Sequence, residues 1–339
     1  MAERKRFEWK LRSRMLQLGD RPLIVAILNI TPDSFSDGGK YTDPDRAVAR
    51  ALELEELGAD IIDIGAESTK PGAAKVPEGE ELRRIVPLLK KLDGRVKIPI
   101  SVDTYKSAVA MKAAEYGADI INDPSGFTWD TTMAKTVAQL NMGYILNHMR
   151  GTPETWAKLG PIKDLIVSVR QDLEASISRV LRDGVNKAQI VIDPGLGFGK
   201  RREQNVELIA MLPAFTTLGA PILVGPSRKS FLKQETDRAT EFATAAAVTA
   251  SILQGAHLIR VHDLEAMKPV VEVAEAVFQA GIVIPKDEED KPKGPRGPIV
   301  EPGVNRMHAG ANRPHQSLSQ RLRPSGPPIG RRPPGRDRS

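Results

Sequence analysis

Short apolar runs alternate with longer amphipathic segments along most of this chain, and most of the runs end in a polar residue. Eight such runs occupy residues 23–29, 60–64, 98–103, 119–122, 143–147, 189–193, 221–225 and 257–261. The segments between them have room for helices, and Ala47, Ala51 and Leu54 recur at helical spacing in one of them. Eight strand–helix units predict an α/β fold, a (β/α)8 TIM barrel. In that fold chemistry occurs at the carboxyl ends of the strands, so the polar residues closing the runs are candidate site residues.

A different pattern precedes the first barrel strand. Phe7, Trp9 and Leu11 alternate with polar residues, and a second short apolar stretch leads to Gly19 and Asp20. Period-two alternation followed by turn residues predicts a short hairpin within residues 1–19, which we expect to cap the bottom of the barrel. A frayed helix is the alternative interpretation.

Length and composition fit one barrel with an extension. The chain has 339 residues, and a barrel needs roughly 250. We therefore place the barrel in residues 20–285. Aromatic residues make up only 4% of the chain, so the core must consist mainly of Ile, Val, Leu and Ala, as the branched layers inside a barrel do.

The composition changes at Lys286, where proline, glycine and arginine become frequent. Residues 286–339 contain 12 basic and 6 acidic residues, so this segment accounts for the whole net charge of +6. Such a segment buries too little apolar surface to offset its ordering entropy, and we predict that it is a disordered tail. Non-specific contact with nucleic acid is an alternative, but the tail has no aromatic residues for stacking on bases. A solvated extension is the favoured interpretation.

The chain has no cysteine, which excludes disulfides, thiolate catalysis and zinc–thiolate sites. Its first 14 residues are charged and do not resemble a signal peptide. No apolar run reaches the roughly 18 residues that a membrane span needs. We expect a soluble cytoplasmic protein.

Several of the polar residues that close the runs suit the recognition of a flat heterocycle. Asp103, Asn122 and Asp193 end the third, fourth and sixth runs. Carboxylates and an amide that meet at one end of a barrel can bind the donor and acceptor edge of such a ring. A single Asp at a strand end is often only a helix N-cap, but polar residues at the ends of three strands make capping alone an insufficient explanation.

Residues at other strand ends suit the binding of an anion and of a metal cation. Arg228 and Lys229 follow the seventh run, and we expect this pair to bind an anionic or carbonyl ligand. Arg260 and His262 lie at the eighth, where such barrels often bind phosphate. Asn29 opens an oxygen-rich loop and could offer its amide oxygen to Mg²⁺.

Two histidines and a glycine-rich stretch are weaker candidates. His257 lies in an apolar run and is predicted to be structural, whereas His148 follows the fifth run and is expected to position its neighbours. Residues 195–199 read GLGFG, which resembles a nucleotide loop only weakly because it does not follow the first strand.

Taken in order, these segments resemble the dihydropteroate synthases of the pterin-binding barrel family. The similar segments are LNITPDSFSDGG at 28–39, ESTKPG at 67–72, SVDT at 101–104, IND at 121–123, HMRGTP at 148–153, DPGLGFGK at 193–200, SRKSF at 227–231 and RVHD at 260–263. The resemblance covers residues 7–285 and leaves the tail without a counterpart. Lys70 stands where the family usually has arginine.

The resemblance implies an activity and a set of roles. The family joins 7,8-dihydropterin-6-ylmethyl diphosphate to 4-aminobenzoate and releases pyrophosphate. The implied pterin contacts are Asp103, Asn122, Asp193, Lys229 and Arg260. All of them except Asn122 are also the implied catalytic residues. The implied diphosphate contacts are Asn29, Thr69, Arg260 and His262. Asn29 would also ligate Mg²⁺. The implied 4-aminobenzoate contacts are Phe35, Thr69, Pro71 and Ser230.

The resemblance further implies a homodimer formed through outer helices and inhibition by sulfonamides. Two other functions remain open from the sequence. One is methyl transfer from methyltetrahydrofolate to a corrinoid protein, which needs a pterin site but no diphosphate or aminobenzoate pocket. The other is a non-catalytic pterin-binding or interaction protein, against which the full set of diphosphate contacts argues.

Overall fold

A computed structural model describes residues 4–31, 44–68 and 73–282 of the chain. The predictions for Phe35, Thr69, Pro71 and the tail at 286–339 lie outside the described residues.

Eight parallel strands of the described chain form the barrel, after an N-terminal hairpin of two strands. The hairpin strands are β1 (Phe7–Lys10) and β2 (Met15–Leu18). The barrel strands are β3 (Leu23–Asn29), β4 (Ile61–Gly65), β5 (Ile100–Asp103), β6 (Ile120–Asp123), β7 (Gly143–Asn147), β8 (Ile190–Asp193), β9 (Leu223–Val224) and β10 (Leu258–Val261).

Strand pairing confirms the predicted barrel. The hydrogen-bonded order is β8-β7-β6-β5-β4-β3-β10-β9. A parallel bridge between Ile192 and Ile222 joins the two outer strands of this order and nearly closes the sheet on itself. Because the pairs are parallel, all eight carboxyl ends meet at one end of the barrel.

Helices of the described chain follow the strands and cover the outside of the barrel. They are α1 (Pro44–Glu56), α2 (Glu78–Leu92), α3 (Ser107–Glu115), α4 (Met133–Leu140), α5 (Leu165–Arg182), α6 (Arg202–Ala210), α7 (Asp237–Leu253) and α8 (Leu264–Ile282). The stripe predicted from Ala47, Ala51 and Leu54 is buried in α1 and packs against the strands. No helix of the described ranges is both long enough and apolar enough to cross a membrane.

The hairpin closes the amino-terminal end of the barrel, as predicted, and the frayed-helix alternative is wrong. β1 and β2 pair antiparallel, with Phe7 opposite Leu18. Trp9, Leu11 and Leu18 are buried against the early residues of the barrel strands. The indole Nε1 of Trp9 also donates to the backbone oxygen of Gln189 at 2.7 Å, just before β8.

His257 is a structural residue of this same end of the barrel. Its Nδ1 accepts from the backbone N–H of Ile222 at 3.1 Å, so Nε2 carries the proton and donates to the oxygen of Lys5 at 3.0 Å. Burial lowers the pKa of His257 to about 4, so the ring is neutral at pH 7. The prediction of a packed histidine agrees with this geometry.

Candidate active site

Polar side chains from several strand ends converge on one pocket at the carboxyl end of the barrel. Strand register explains the convergence, because Asp103 lies beside Asn122 on the next strand and Asn147 lies beside Asp193. The pocket is lined by Asp103, Asn122, Pro124, Asn147, Asp193, Leu196, Phe198, Gly225, Lys229 and Arg260. Five of these are the residues that the sequence analysis assigned to the pterin.

Arg260 is held in the pocket by two carboxylates. Its Nε donates to Asp63 at 2.6 Å and its Nη2 donates to Asp103 at 2.8 Å. The amide of Asn122 donates to the same oxygen of Asp63 at 3.1 Å. This network fixes the guanidinium across the floor of the pocket and orients Asn122 at the same time.

Two members of this network, Asp103 and Arg260, have shifted pKa values. Burial raises the pKa of Asp103 to about 7, although the Arg260 charge opposes the shift. Burial disfavours the charged form of Arg260, yet the carboxylates of Asp63 and Asp103 outweigh it and raise its pKa above the ordinary value. Arg260 is therefore a permanent cation, and Asp103 gains or loses its proton near neutral pH.

Lys229 and Asp193 face the pocket from the other side. Asp193 is buried, which raises its pKa, and its carboxylate accepts from the N–H of Gly195 at 2.7 Å. The ammonium of Lys229 lies 4.1 Å from the centre of the Phe198 ring. Burial, and after it the charge of Arg260, lowers the pKa of Lys229 to about 8. Lys229 is thus a cation at pH 7 that becomes neutral in mildly alkaline solution.

The glycine-rich segment after β8 forms a wall of this pocket. Gly195 has a φ of +73°, and a Cβ at that position would lie 1.9 Å from the oxygen of His148, so only glycine fits. Lys200 holds the segment in place, because its side-chain nitrogen donates to the backbone oxygens of Gly195 at 2.7 Å and His148 at 3.2 Å. The loop thereby places Leu196 and Phe198 against the ligand space.

The structure separates the two adjacent cations after β9, because Lys229 lines the pocket and Arg228 does not. This residue has a φ of +55°, and its guanidinium forms an ion pair with Glu241 on α7. It also lies 3.7 Å from the carboxylate of Asp263. Arg228 is therefore neutralised on the outer side of the loop, and only Lys229 lines the pocket.

Three further predicted residues, Asn29, Ser230 and His262, lie in the described ranges but do not line this pocket. Ser230 is exposed at the first position of a short 3₁₀ turn. His262 follows β10, and its Nδ1 forms a hydrogen bond of 2.9 Å with the hydroxyl of Ser227. Ser227 also accepts from the backbone N–H of His262 at 3.2 Å, which sets the direction of the imidazole.

Asn29 ends β3 beside Gly65 of β4. A Cβ on Gly65 would lie 3.3 Å from the amide oxygen of Asn29 and 3.9 Å from a carboxylate oxygen of Asp103, so glycine leaves a small polar space there. Among the described residues no group of three or more His, Cys, Asp or Glu side chains could hold a metal ion. Mg²⁺ is often held by one or two protein oxygens together with substrate phosphates, and Asn29 fits that arrangement.

Comparison with known proteins places this site in a family. The family described as pterin binding enzyme matches residues 25–262. The chain belongs to the pterin-binding enzyme family. It is 43% identical to the dihydropteroate synthase of Synechocystis over 265 residues, which cover 77% of this chain and 92% of the relative.

Solved structures of dihydropteroate synthases have the same fold as this pterin-binding enzyme. One is the Yersinia pestis enzyme in complex with a sulfonamide drug, with a TM-score of 0.75, 36% identity and coverage of 80% of this chain and 100% of the other. Another is the Xanthomonas albilineans enzyme in complex with 7,8-dihydropteroate, with a TM-score of 0.68, 37% identity and coverage of 78% and 95%. The resemblance found in the sequence is thus confirmed.

Sequence reasoning missed Asp63 in this pterin-binding enzyme. The residue lies inside an apolar run rather than at its end, so a search of strand ends passes over it. The signal was present, however, because a carboxylate within a strand that is buried on both faces must have a partner. That partner, Arg260, is distant in sequence and adjacent across the barrel.

Proposed function

We propose that this pocket carries out the condensation of 7,8-dihydropterin-6-ylmethyl diphosphate with 4-aminobenzoate, giving 7,8-dihydropteroate and pyrophosphate. The chain has the activity of a dihydropteroate synthase, a transferase of folate biosynthesis. The observation that carries the site assignment is the convergence of Asp193, Asn122, Lys229 and Arg260 on one pocket. Together they offer a carboxylate acceptor, an amide that can donate and accept, and two cations. A planar heterocycle with N–H groups and a carbonyl can match this set.

In this proposal the pterin lies with its polar edge toward Asp193 and Asn122. The carboxylate of Asp193 accepts N–H groups of the pyrimidine ring, and Lys229 donates to the ring carbonyl. Because Asp193 is buried, its hydrogen bonds to the ring face little competition from water. Arg260, fixed by Asp63 and Asp103, lies against the ring.

The diphosphate then points toward Arg260 and His262. As the methylene–oxygen bond breaks, its electron pair passes to the diphosphate, and the guanidinium of Arg260 stabilises the growing negative charge. Mg²⁺, which we propose as the cofactor, would be held by Asn29 and would supply further neutralisation of the diphosphate oxygens. The amide oxygen of Asn29 beside the space over Gly65 supports this proposed role.

Loss of the diphosphate leaves positive charge on the pterin methylene, which the carboxylate of Asp103 can stabilise. The amine of 4-aminobenzoate attacks this carbon, forms the carbon–nitrogen bond and loses a proton to the released pyrophosphate or to water. No protein nucleophile is needed. We propose that Ser230 binds the aminobenzoate carboxylate and that Phe35, Thr69 and Pro71 complete its pocket.

One assay tests the proposed function. Purified protein is supplied with the dihydropterin diphosphate, 4-aminobenzoate and Mg²⁺, and pyrophosphate release is measured. We expect release that depends on both substrates. Absence of release while the pterin still binds would reject the synthase reaction, and transfer of a methyl group from methyltetrahydrofolate in a parallel assay would favour the corrinoid alternative.

The activity should depend on pH through Asp103 and Lys229, two groups that line the pocket and titrate near neutrality. The ionised carboxylate of Asp103 is gained as pH rises through about 7, and the charge of Lys229 is lost as pH rises through about 8. We therefore expect kcat/KM for the pterin substrate to follow a bell with limbs near these values. Lys229→Arg should move the alkaline limb upward and leave the acid limb in place. A flat profile between pH 6 and 9 would contradict these roles.

Ser230→Ala should affect the second substrate selectively. Loss of one hydrogen bond to a carboxylate costs about 1–2 kcal/mol, so the KM for 4-aminobenzoate should rise roughly 5- to 30-fold. The dissociation constant of the pterin, measured by calorimetry, should stay within twofold, and Ser230→Thr should retain most of the binding. An equal loss for both substrates would place Ser230 elsewhere in the reaction.

We also propose that the enzyme is a homodimer formed through its outer helices. Large apolar side chains are exposed on α6 to α8, where α7 packs beside α8: Val206, Phe242, Val273 and Val277, together with Met211 directly after α6. A second copy is the natural cover for such a face in a symmetric oligomer. Sedimentation velocity should show a dimer that Phe242→Asp converts to monomer, whereas Met111→Asp on α3 should leave the dimer intact. A monomeric unmodified chain would contradict this proposal.

The location in the cell is proposed to be the cytoplasm, in agreement with the expectation from the sequence. Fractionation of cells that produce the protein, followed by detection of its activity, tests this directly.

A further inference from the structure

One polar strand end has no role in the reaction as described so far. Asn147 is the last residue of β7, lies on the pocket wall and is only 4% exposed. Its amide nitrogen Nδ2 donates to the backbone oxygen of Pro124 at 2.7 Å. Because a carbonyl oxygen can only accept, this contact fixes which end of the amide is the nitrogen.

The other end of the amide, Oδ1, is buried and has no hydrogen-bond partner among the described residues. Buried acceptors are rarely left unsatisfied in folded proteins, since their desolvation is not compensated. An exception on the wall of a binding pocket indicates an atom whose partner is the ligand.

The residues around this oxygen belong to the β7 and β8 side of the pocket wall. A Cβ on Gly195 would lie 3.0 Å from Oδ1, so any other residue at this position would crowd the oxygen. On the neighbouring strand, Asp193 lies in register with Asn147 and lines the same pocket. Two acceptors, one charged and one neutral, therefore lie side by side at the ends of β7 and β8.

We propose that Oδ1 of Asn147 accepts a hydrogen bond from an N–H group of the pterin ring and so helps to determine the specificity of this enzyme. This inference rests on the proposed function, because it takes the pterin as the occupant of the pocket. A neutral acceptor at this position favours a ring N–H or amino group over an unprotonated ring nitrogen, whose lone pair would face the lone pairs of Oδ1. Asn147 thereby discriminates among ring systems by their hydrogen-bond donors.

Two matched variants test the assignment. Asn147→Leu and Asn147→Asp both lose the Nδ2 contact with Pro124, but only Asn147→Asp keeps an oxygen acceptor. Calorimetry with 6-hydroxymethyl-7,8-dihydropterin should show at least a tenfold weaker affinity for Asn147→Leu and a change within threefold for Asn147→Asp. The KM for 4-aminobenzoate should stay within twofold in both. Equal weakening in the two variants, or none in either, would overturn the inference.

A ligand series separates recognition from a structural effect. The probes are the dihydropterin, the oxidised pterin that lacks the N8 hydrogen, and the analogue that lacks the 2-amino group. The penalty of Asn147→Leu should disappear for a probe that lacks the recognised N–H, as in a double-mutant cycle. The same penalty for every probe would mean a structural role and would overturn the inference. If Asn147→Leu does not fold, Asn147→Met, whose flexible apolar chain adapts to irregular space, takes its place.

Failure of this inference and failure of the proposed function give different results. If the unmodified protein binds none of the pterin probes, the proposed function is wrong. If it binds the dihydropterin and Asn147→Leu binds it equally well, only the role of Asn147 is wrong.

Discussion

Lys229→Met should lower kcat/KM for the pterin substrate by at least about 100-fold, which is the range seen when a charged donor to a reacting ligand is removed. The ammonium of Lys229 lies over the Phe198 ring in the pocket, opposite Arg260 and near Asp193. Its loss leaves the pterin carbonyl without a donor and leaves Asp193 with less opposing charge. Initial-rate kinetics measure the loss, and calorimetry shows how much of it lies in pterin binding.

The adjacent residue provides a matched control for this variant. Arg228→Met also removes a cation and also changes the loop after β9, but Arg228 is paired with Glu241 outside the pocket. We expect its activity to stay within about threefold of the unmodified enzyme. A comparable loss in both variants would mean that the general charge of the loop, rather than the pocket contact of Lys229, supports catalysis.

Trp9→Ala should lower the free energy of unfolding by about 3–5 kcal/mol, as other large-to-small changes at fully buried aromatic residues do. Trp9 is 0% exposed and closes the bottom of the barrel, where it packs with Leu11 and the early strand residues. The substitution opens a cavity there and also leaves the oxygen of Gln189 without its indole donor. Urea unfolding followed by circular dichroism measures the change.

Two variants of the same hairpin check the explanation. Met15→Ala changes a side chain that is 49% exposed, and it should alter stability by no more than about 0.5 kcal/mol. Trp9→Phe keeps most of the buried area and loses the indole hydrogen bond, so a cost of about 1 kcal/mol beyond the smaller ring is expected. A small effect of Trp9→Ala would mean that the barrel bottom is stable without the hairpin.

Strand positions were predictable because each strand is a local run of apolar residues. The predicted runs 23–29 and 143–147 agree with β3 and β7 at both ends. The predicted run 221–225 is shorter in the structure, where β9 contains only Leu223 and Val224. Pro221 and Pro226 flank it, and a proline has no N–H for a ladder hydrogen bond, so regular pairing cannot extend to them.

The candidate site was predictable where it depends on strand ends and not where it depends on side-chain direction. The closing residues Asp103, Asn122 and Asp193 meet because all parallel strands end at one rim. The residue types alone could not tell the roles of Arg228 and Lys229 apart, because both are cations in one loop, and only the resemblance assigned Lys229 to the pterin. The positive φ of Arg228 and its contact with Glu241 on a distant helix decide which of them lines the pocket.

The sequence by itself therefore determined the barrel, the hairpin, the rim on which the site lies and, through its ordered motifs, the pterin-binding family. Those properties depend on periodicity and on residues close together along the chain. Only the tertiary structure decided that Asp63 holds Arg260 and that the amide oxygen of Asn147, on the pocket wall, has no hydrogen-bond partner among the described residues. Both depend on partners that are remote in sequence, and closure of the barrel brings such partners within hydrogen-bond distance.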